Sequence, residues 1–442
     1  MTLALGLFAV TYVLMLALQE YRPWVALCSA LLFLMLGRLG AFDFTLQQAL
    51  AAVDYNVLLM MAGTMGTVAL FIESRMPARL AELLIAKAPS VKWAVCLLAL
   101  FAGIVSAFVD NVATVLMVAP IGLAIARKLK ISPVPVLIAI AVSSNLQGAA
   151  TLVGDTTSIL LGSFAKLNFF EFFWVAGRPG IFWGVELGAL VSLLVLLWLF
   201  RREDQPVDAA VTTQVEDAVP TALMVLTVGL LIAASFLPQP SGGVLRILYD
   251  LRSGLVCSGL CLFGVVRACV CSRSFRPLTQ AAKALDCDTL LLLFSLFIVL
   301  EGIRCAGVID AVAELFYTVA GDSPFVLYTL LVAVSVVLSA FVDNIPYVAT
   351  MLPVVQGIAA RMNGGAGVEP YLFYFGLLTG ATLGGNLTPI GASANIAAIG
   401  ILRKNGETVR TADFLRIGVP FTLSAVLTGY VYLWLVWGGT AF

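Results

Sequence analysis

Ser106-Ala107-Phe108-Val109-Asp110-Asn111 recurs letter for letter as Ser339-Ala340-Phe341-Val342-Asp343-Asn344, 233 residues further along the chain. A second pair of polar stretches begins about 40 residues beyond each copy. It reads Gly148-Ala149-Ala150-Thr151-Leu152-Val153-Gly154-Asp155-Thr156-Thr157-Ser158 and Gly385-Asn386-Leu387-Thr388-Pro389-Ile390-Gly391-Ala392-Ser393-Ala394-Asn395. All four stretches set Asp, Asn, Thr, Ser and Gly among strongly apolar residues, where an unpaired polar group costs several kcal/mol. Duplicated polar sites of that kind, inside a membrane protein, read as a transport pathway.

The surroundings are those of a membrane. Of 442 residues 61% are hydrophobic and 11% charged, and the mean hydropathy is +1.04. Soluble domains carry about 25% charged residues, so the composition predicts an all-α polytopic membrane protein. Basic and acidic residues both number 25, which gives no footprint for a nucleic acid. The chain has no histidine, which excludes a Ser-His-Asp hydrolase, a His-ligated metal and a His proton relay. Its eight cysteines form no Cys-x-x-Cys motif and read as small buried hydrophobes, with a thiolate site for a thiophilic substrate as the alternative. The first apolar run follows Met1 without a basic leader or a small-residue cleavage site, so it reads as a retained helix.

Apolar runs long enough to span lie at about 3–19, 23–40, 53–74, 181–200, 220–238, 250–268, 286–304 and 418–437. Two more, about 134–166 and 370–402, are too long for one straight span, and the Gly/Thr/Asn stretches interrupt them as broken helices near the midplane. The Asp-Asn copies split two further units, 93–127 and 324–360, into short arms. Hydropathy admits a re-entrant hairpin or two crossings there; the short arms favour a hairpin with Asp-Asn at its tip. Placing most basic residues on the cytoplasmic side puts Arg22 and Lys283 inside, Arg252 outside, and both termini outside, in a plasma (inner) membrane. On that count the first hairpin enters from the cytoplasm. The second, flanked by Asp322, Arg361 and Glu369, enters from outside.

The chain therefore reads as two inverted repeats, 1–200 and 220–442, joined by a solvated linker at 201–219, each repeat having five crossings and a hairpin. Two further correspondences support this: Asp54 with Asp286, and Phe173-x-x-x-Gly177-x-Pro179 with Phe414-x-x-x-Gly418-x-Pro420. The second of these follows a short amphipathic stretch in each half.

Hairpin tips and helix breaks free backbone groups that have no intrahelical partner. Helix starts at Asn111 and Asn344 suit a polar or anionic substrate, and the carbonyls before them, with Asp110 and Asp343, suit Na⁺ or a proton. Thr114, Thr151, Thr156, Thr388 and Ser393 supply hydroxyls of the hard-oxygen kind, while Asn145, Asn386 and Asn395 supply donor and acceptor. Gly154 and Gly391 allow close backbone approach. Asp110, Asp343 and Asp155 are the informative residues, because desolvation favours the proton-bound form of a carboxylic acid and lets it exchange a proton for a cation. The competing reading of each is a helix cap. Asp155 has no acidic twin, since Ala392 holds the equivalent position. Glu73 and Glu301 read as structural partners of Arg75 and Arg304.

These motifs resemble the ion transporter superfamily. Asp-Asn-x-x-Thr at the hairpin, then Ser144-Asn145-Leu146-Gln147-Gly148-Ala149-Ala150-Thr151-Leu152-Val153-Gly154-Asp155, is similar to its arsenite-pump and sodium/proton-antiporter branch, which takes in citrate-transporter-like and silicon-efflux proteins. Gly384-Gly385-Asn386-Leu387-Thr388-Pro389-Ile390-Gly391-Ala392-Ser393-Ala394-Asn395 resembles that branch's second-half signature. The resemblance implies an elevator-type secondary transporter, a homodimer joined through scaffold helices. Scaffold helices would fall at 1–40 and 220–268, and transport parts at 53–166 and 286–402. It also implies substrate and coupling-ion roles for Asp110, Asn111, Asn145, Thr151, Asp155, Asp343, Asn344, Asn386, Thr388 and Asn395. Two departures stand out. Thr156-Thr157-Ser158 replaces the usual Pro-Pro-Asn, and Val-Asp-Asn replaces the Ser-Asn-Thr tips of sodium-coupled dicarboxylate members.

The function expected is secondary transport of a small inorganic ion or oxyanion, either Na⁺/H⁺ exchange or proton-driven efflux of arsenite, another metalloid or an anion. A Na⁺- or H⁺-coupled di- or tricarboxylate transporter is the alternative; a channel and an intramembrane aspartyl protease rank lower. No cofactor is expected, only H⁺ or Na⁺ as coupling ion, with Na⁺ placed at Asp110, Asn111, Asp343 and Asn344.

Overall fold

The computed structural model describes residues 2–207, 213–321, 323–362 and 370–440. Asp322, Glu369 and the middle of the linker, 208–212, lie outside these. The described chain is almost entirely helical. In the first half α1 (Thr2–Ala17) and α2 (Arg22–Arg38) precede the short α3 (Leu46–Ala52), α4 (Tyr55–Glu73) and α5 (Met76–Ile85). The paired α6 (Val91–Ser106) and α7 (Asn111–Lys128) follow, then the interrupted α8 (Pro133–Gly148) and α9 (Thr156–Phe164), and α10 (Ile181–Leu199). The second half runs α11 (Val219–Ser235), α12 (Gly243–Asp250), α13 (Arg252–Ser272), α14 (Arg276–Ala284), α15 (Cys287–Cys305) and α16 (Val308–Ala320). It ends with α17 (Pro324–Ser339), α18 (Asn344–Met362), α19 (Tyr371–Leu378), α20 (Ser393–Lys404) and α21 (Thr411–Trp437).

The order of elements in one half recurs in the other, α12 standing where the first half has a single 3₁₀ turn, Gln19–Tyr21. The packing recurs too. Helix α4 lies on α13 while α15 lies on α2, α6 packs on α8 as α17 packs on α19, and α10 packs on α21. Small residues set the closest of these crossings. A Cβ on Gly63 of α4 would stand 2.4 Å from the backbone of Cys257 on α13, so only glycine admits that approach.

Among the described residues five helices are long and apolar enough to cross a membrane: α4, α7, α10, α13 and α21. Helices α15 and α16 make a sixth if taken together, bent by 77°. Helices α1, α6, α8, α11 and α17 are apolar but shorter. Arm α7, expected to be short, has 18 residues and thus a length of about 27 Å. Five short helices escaped the hydropathy reading: α3, α5, α12, α14 and α16. Two of them, α3 and α14, lead into equivalent caps, in which Asp54 accepts from Val57 N at 3.0 Å and Asp286 from Thr289 N at 3.1 Å.

Three sequence expectations change. Phe173–Pro179 is a 3₁₀ turn end and a two-stranded ribbon, β1 (Trp174–Val175) and β2 (Arg178–Pro179), with Ala176 and Gly177 at positive φ, whereas Phe414, Gly418 and Pro420 lie inside one continuous helix. The local signature repeats; the local structure does not. The linker is also less free than its composition suggests. Gln205 O and Glu203 O accept from Val91 N and Lys92 N, filling two of the orphan donors at the start of α6, and Lys92 pairs with Asp204 at 2.9 Å. Past the undescribed stretch, Thr213 and Glu216 bond to Glu82 and to Ser74 O. Finally, the acid expected to pair with Arg75 was Glu73; the structure gives Arg75 to Glu216 at 3.0 Å. Glu301 does take Arg304, at 2.5 Å.

Candidate functional site

Each hairpin tip closes on the break in the neighbouring helix, in the same way twice. Thr151 Oγ1 donates to Ala107 O at the first tip, and Thr388 Oγ1 donates to Ala340 O at the second. Beside each threonine a glycine presses onto the same tip. A Cβ on Gly154 would meet Gly148 O, Ser106 O and Ala107 O at 2.6–2.8 Å, and one on Gly391 would meet Gly385 O, Ala340 O and Ser339 O at 2.6–2.9 Å. The two threonine hydroxyls thereby pair helix-end carbonyls that an apolar environment would otherwise leave unpaired.

Four helices start at the resulting junction: α7, α18, α9 and α20. Three carry their own carboxylate. Asp110 Oδ2 accepts from Val112 N and Ala113 N at 3.0 and 3.2 Å. Asp155 accepts from Thr156 N at 2.8 Å and from Thr157 Oγ1 at 2.7 Å. Asp343 Oδ1 accepts from Ile345 N at 3.1 Å. The start of α20, at Ala392, has no side-chain cap. The cap reading of these aspartates therefore holds, and it coexists with exposure to a common cavity.

That cavity measures about 630 Å³ and is lined by Asp110, Asn111, Asp155, Thr156, Asp343, Asn344 and Ser393, half of the residues singled out in the sequence. It runs past Thr64 of α4 to the exposed residues Lys283, Asp286, Cys287 and Asp288. Cys287, like Cys28 and Cys271, is exposed and so departs from the expectation of small buried hydrophobes.

The other predicted residues brace the junction from behind. Asn145 accepts from Asn111 Nδ2 at 2.9 Å and donates to Thr382 O at 2.7 Å and Asn386 Oδ1 at 3.1 Å. Asn386 in turn donates to Val142 O at 2.8 Å, so two fully buried amides tie the halves together. Asn395 donates to Gly385 O and Thr388 O at 3.1 and 3.2 Å, and Thr114 turns to Val109 O at 3.5 Å. Asn145→Ala is expected to destabilise the protein by about 1–3 kcal/mol, because Asn111 Nδ2 and Asn386 Oδ1 would each lose a buried partner. Thermal unfolding of the purified protein checks this, and an unchanged midpoint would show that the network is not structural.

Arg22 is the residue that the sequence reading missed. Taken there only as a basic helix end, it places Nη1 2.7 Å from Asp343 Oδ2, both side chains being 13% exposed. Ser393 Oγ donates to the same oxygen at 3.3 Å. The two halves also meet at Thr157 and Thr382, whose hydroxyls lie 2.9 Å apart.

The citrate transporter model (CitMHS) matches residues 12–380 of the chain. The chain belongs to that family. An uncharacterised transporter of Mycobacterium tuberculosis is 30% identical over 438 residues, 98% of each chain. The P protein of Mus musculus is 27% identical over 497 residues, which cover 97% of this chain and 59% of the P protein. Among solved structures, the YdaH transporter of Alcanivorax borkumensis superposes with a TM-score of 0.58 at 17% identity, over 89% of this chain and 88% of that one. The MtrF antimetabolite efflux pump of Neisseria gonorrhoeae gives 0.55 at 15% identity, over 88% and 82%. The superfamily read from the hairpin and break motifs is thus the right one, and the chain is a multi-pass membrane transporter with the helical fold of those two proteins.

Proposed function

We propose that the protein is a secondary active transporter of a small inorganic ion or oxyanion, coupled to H⁺ or Na⁺, working by an elevator movement of its two hairpins and broken helices. The observation that carries this reading is the convergence of Asp110, Asp155 and Asp343, with four helix starts, on one cavity. Carboxylates from both halves supply the negative charge for a proton or a cation, and the helix starts supply amide donors for an anion. Asn111, Thr156, Asn344 and Ser393 complete the proposed binding shell, with Na⁺ placed at Asp110, Asn111, Asp343 and Asn344. Asn145, Thr151, Gly154, Asn386, Thr388 and Asn395 hold it in place.

Two inverted repeats with alternating access fit the recurring order of helices and contacts. The cavity reaches the surface beside Asp286, whereas its counterpart Asp54 is closed off by a hydrogen bond from Ser163. With the basic loops cytoplasmic, this is the inward-facing state. The uncapped start of α20 favours a second reading, in which an anionic group of a di- or tricarboxylate docks there.

Purified protein in liposomes loaded with a pH-sensitive dye tests the coupling. Adding Na⁺ or Li⁺ outside is expected to move protons. A silent dye would remove cation/proton exchange; arsenite, silicic acid and carboxylates under an imposed proton gradient would then separate the remaining substrates.

A further inference from the structure

Arg22 begins α2, and Arg252 begins α13, the counterpart helix of the other half. Cys28-Ser29 and Cys257-Ser258 align the two helices at a spacing of 229, which sets Arg252 one position beyond Arg22. The arginines are equivalent in the fold yet differ in what they hold. Arg22 crosses to the tip of the opposite half's hairpin and pairs with Asp343. Arg252 stays at home: it stacks 4.0 Å above the Tyr249 ring and donates to Tyr249 O at 2.9 Å. Asp110, the tip carboxylate that would correspond to Asp343, has backbone amides as its hydrogen-bond partners.

A second pair of equivalent positions differs in the same sense. Asp54 is bonded to Ser163 of α9, closing that face. The spacing of 237 between Thr156 and Ser393 makes Gly400 the counterpart of Ser163. Gly400 stands clear, with nothing within 4 Å of an added Cβ, and Asp286 lines the open cavity. Exchanging the conformations of the halves would open the face at Asp54, close Asp286 onto Gly400, release Asp343 and bring Arg252 to Asp110.

We propose that Arg22 and Arg252 are alternating partners of the two tip carboxylates: Arg22 holds Asp343 while the cavity opens beside Asp286, and Arg252 holds Asp110 while it opens beside Asp54. A half-buried guanidinium strands an expensive charge when its partner leaves. Arg252 has a resting place on its own half in the Tyr249 ring and carbonyl, and Arg22 already donates Nε to Met15 O of its own half at 3.3 Å. The two pairs act as positioning contacts for the binding shell, each stabilising one end of the movement. This inference rests on the alternating-access reading above.

The test uses full-length protein in liposomes with its eight native cysteines replaced and Asp286→Cys/Gly400→Cys introduced. A short bifunctional thiol reagent then reports closure of the face that is open here. Arg22→Gln is expected to speed this cross-link, and Arg252→Gln to slow it, each by about tenfold, the ordinary range of coupling between sites. Arg22→Lys and Arg252→Lys restore the parent rate. A separate Arg252→Cys/Asp110→Cys pair is expected to cross-link, and to do so in none of the molecules already joined through Arg22→Cys/Asp343→Cys.

Equal rates in the two Gln variants, or shifts of the same sign, would overturn the proposal while leaving alternating access standing. Closure of the 286–400 pair without any formation of the 252–110 pair would overturn it in the same way. No 286–400 cross-link in any background would instead remove alternating access itself, and the proposal with it. Because the Gln variants keep both tip aspartates, size-exclusion profiles matching the parent exclude misfolding as the cause.

Discussion

Asp110→Asn is expected to bring coupled flux in proteoliposomes down to the level of protein-free liposomes, with the purified protein unfolding within about 0.5 kcal/mol of the parent. The two halves of that expectation have separate causes. Asp110 caps α7 through one oxygen that accepts from Val112 N and Ala113 N, and an asparagine keeps that acceptor in place. What it loses is the charge and the ability to bind a proton, the properties that a coupling site requires. Asp343→Asn should behave differently. It strands Arg22, 13% exposed, without its carboxylate, so flux is lost together with about 3 kcal/mol of stability. Normal flux through Asp110→Asn would take that carboxylate out of the mechanism, and the cap would be its whole role.

The second large effect concerns the chain itself. Gly391→Ala and Gly154→Ala are each expected to cost at least about 3 kcal/mol, and to leave little folded protein in detergent. A methyl group at either site meets three backbone carbonyl oxygens closer than 3.0 Å, and backbone cannot rotate aside as a flexible side chain can. Lysine or arginine there should block transport outright. Gly400→Ala is the control: its Cβ meets nothing within 4 Å, and alanine favours the helix by up to about 1 kcal/mol. Unfolding midpoints of the three variants, read side by side, decide the matter. If Gly391→Ala and Gly400→Ala match, the tip and the break are not clamped by close approach.

The sequence exposed what depends on duplication and on cost. Asp110 and Asp343 announced themselves because six residues repeat around a charged group in apolar surroundings. The breaks after Gly148 and Leu387 were legible because glycine and threonine interrupt runs too long to be single spans. Arg22 was not legible. An arginine at a helix start looks like any other positive-inside residue, and its partner lies 321 positions away. The short helices α3, α5, α12, α14 and α16 stayed hidden for the opposite reason, being too brief to register as spans against a background that is 61% hydrophobic. The divergence of Phe173–Pro179 from Phe414–Pro420 shows the limit of motif matching. Glycine and proline spaced alike serve a ribbon in one half and a helix interior in the other, because context decides what the backbone does there.

The threonine and glycine contacts between tip and break bear on how guests are told apart. Thr151 and Thr388 tie each tip by a hydroxyl, and Gly154 and Gly391 wedge it against carbonyl oxygens. The main chain thus fixes the helix starts at the junction, while the wall of the cavity is made by side chains such as Asp110, Asn111, Asp155 and Asn344. On the proposed ion-transport reading, the carboxylates and amides held there meet the guest by charge and hydrogen bonding, so ions of equal charge and similar hydration should compete with one another.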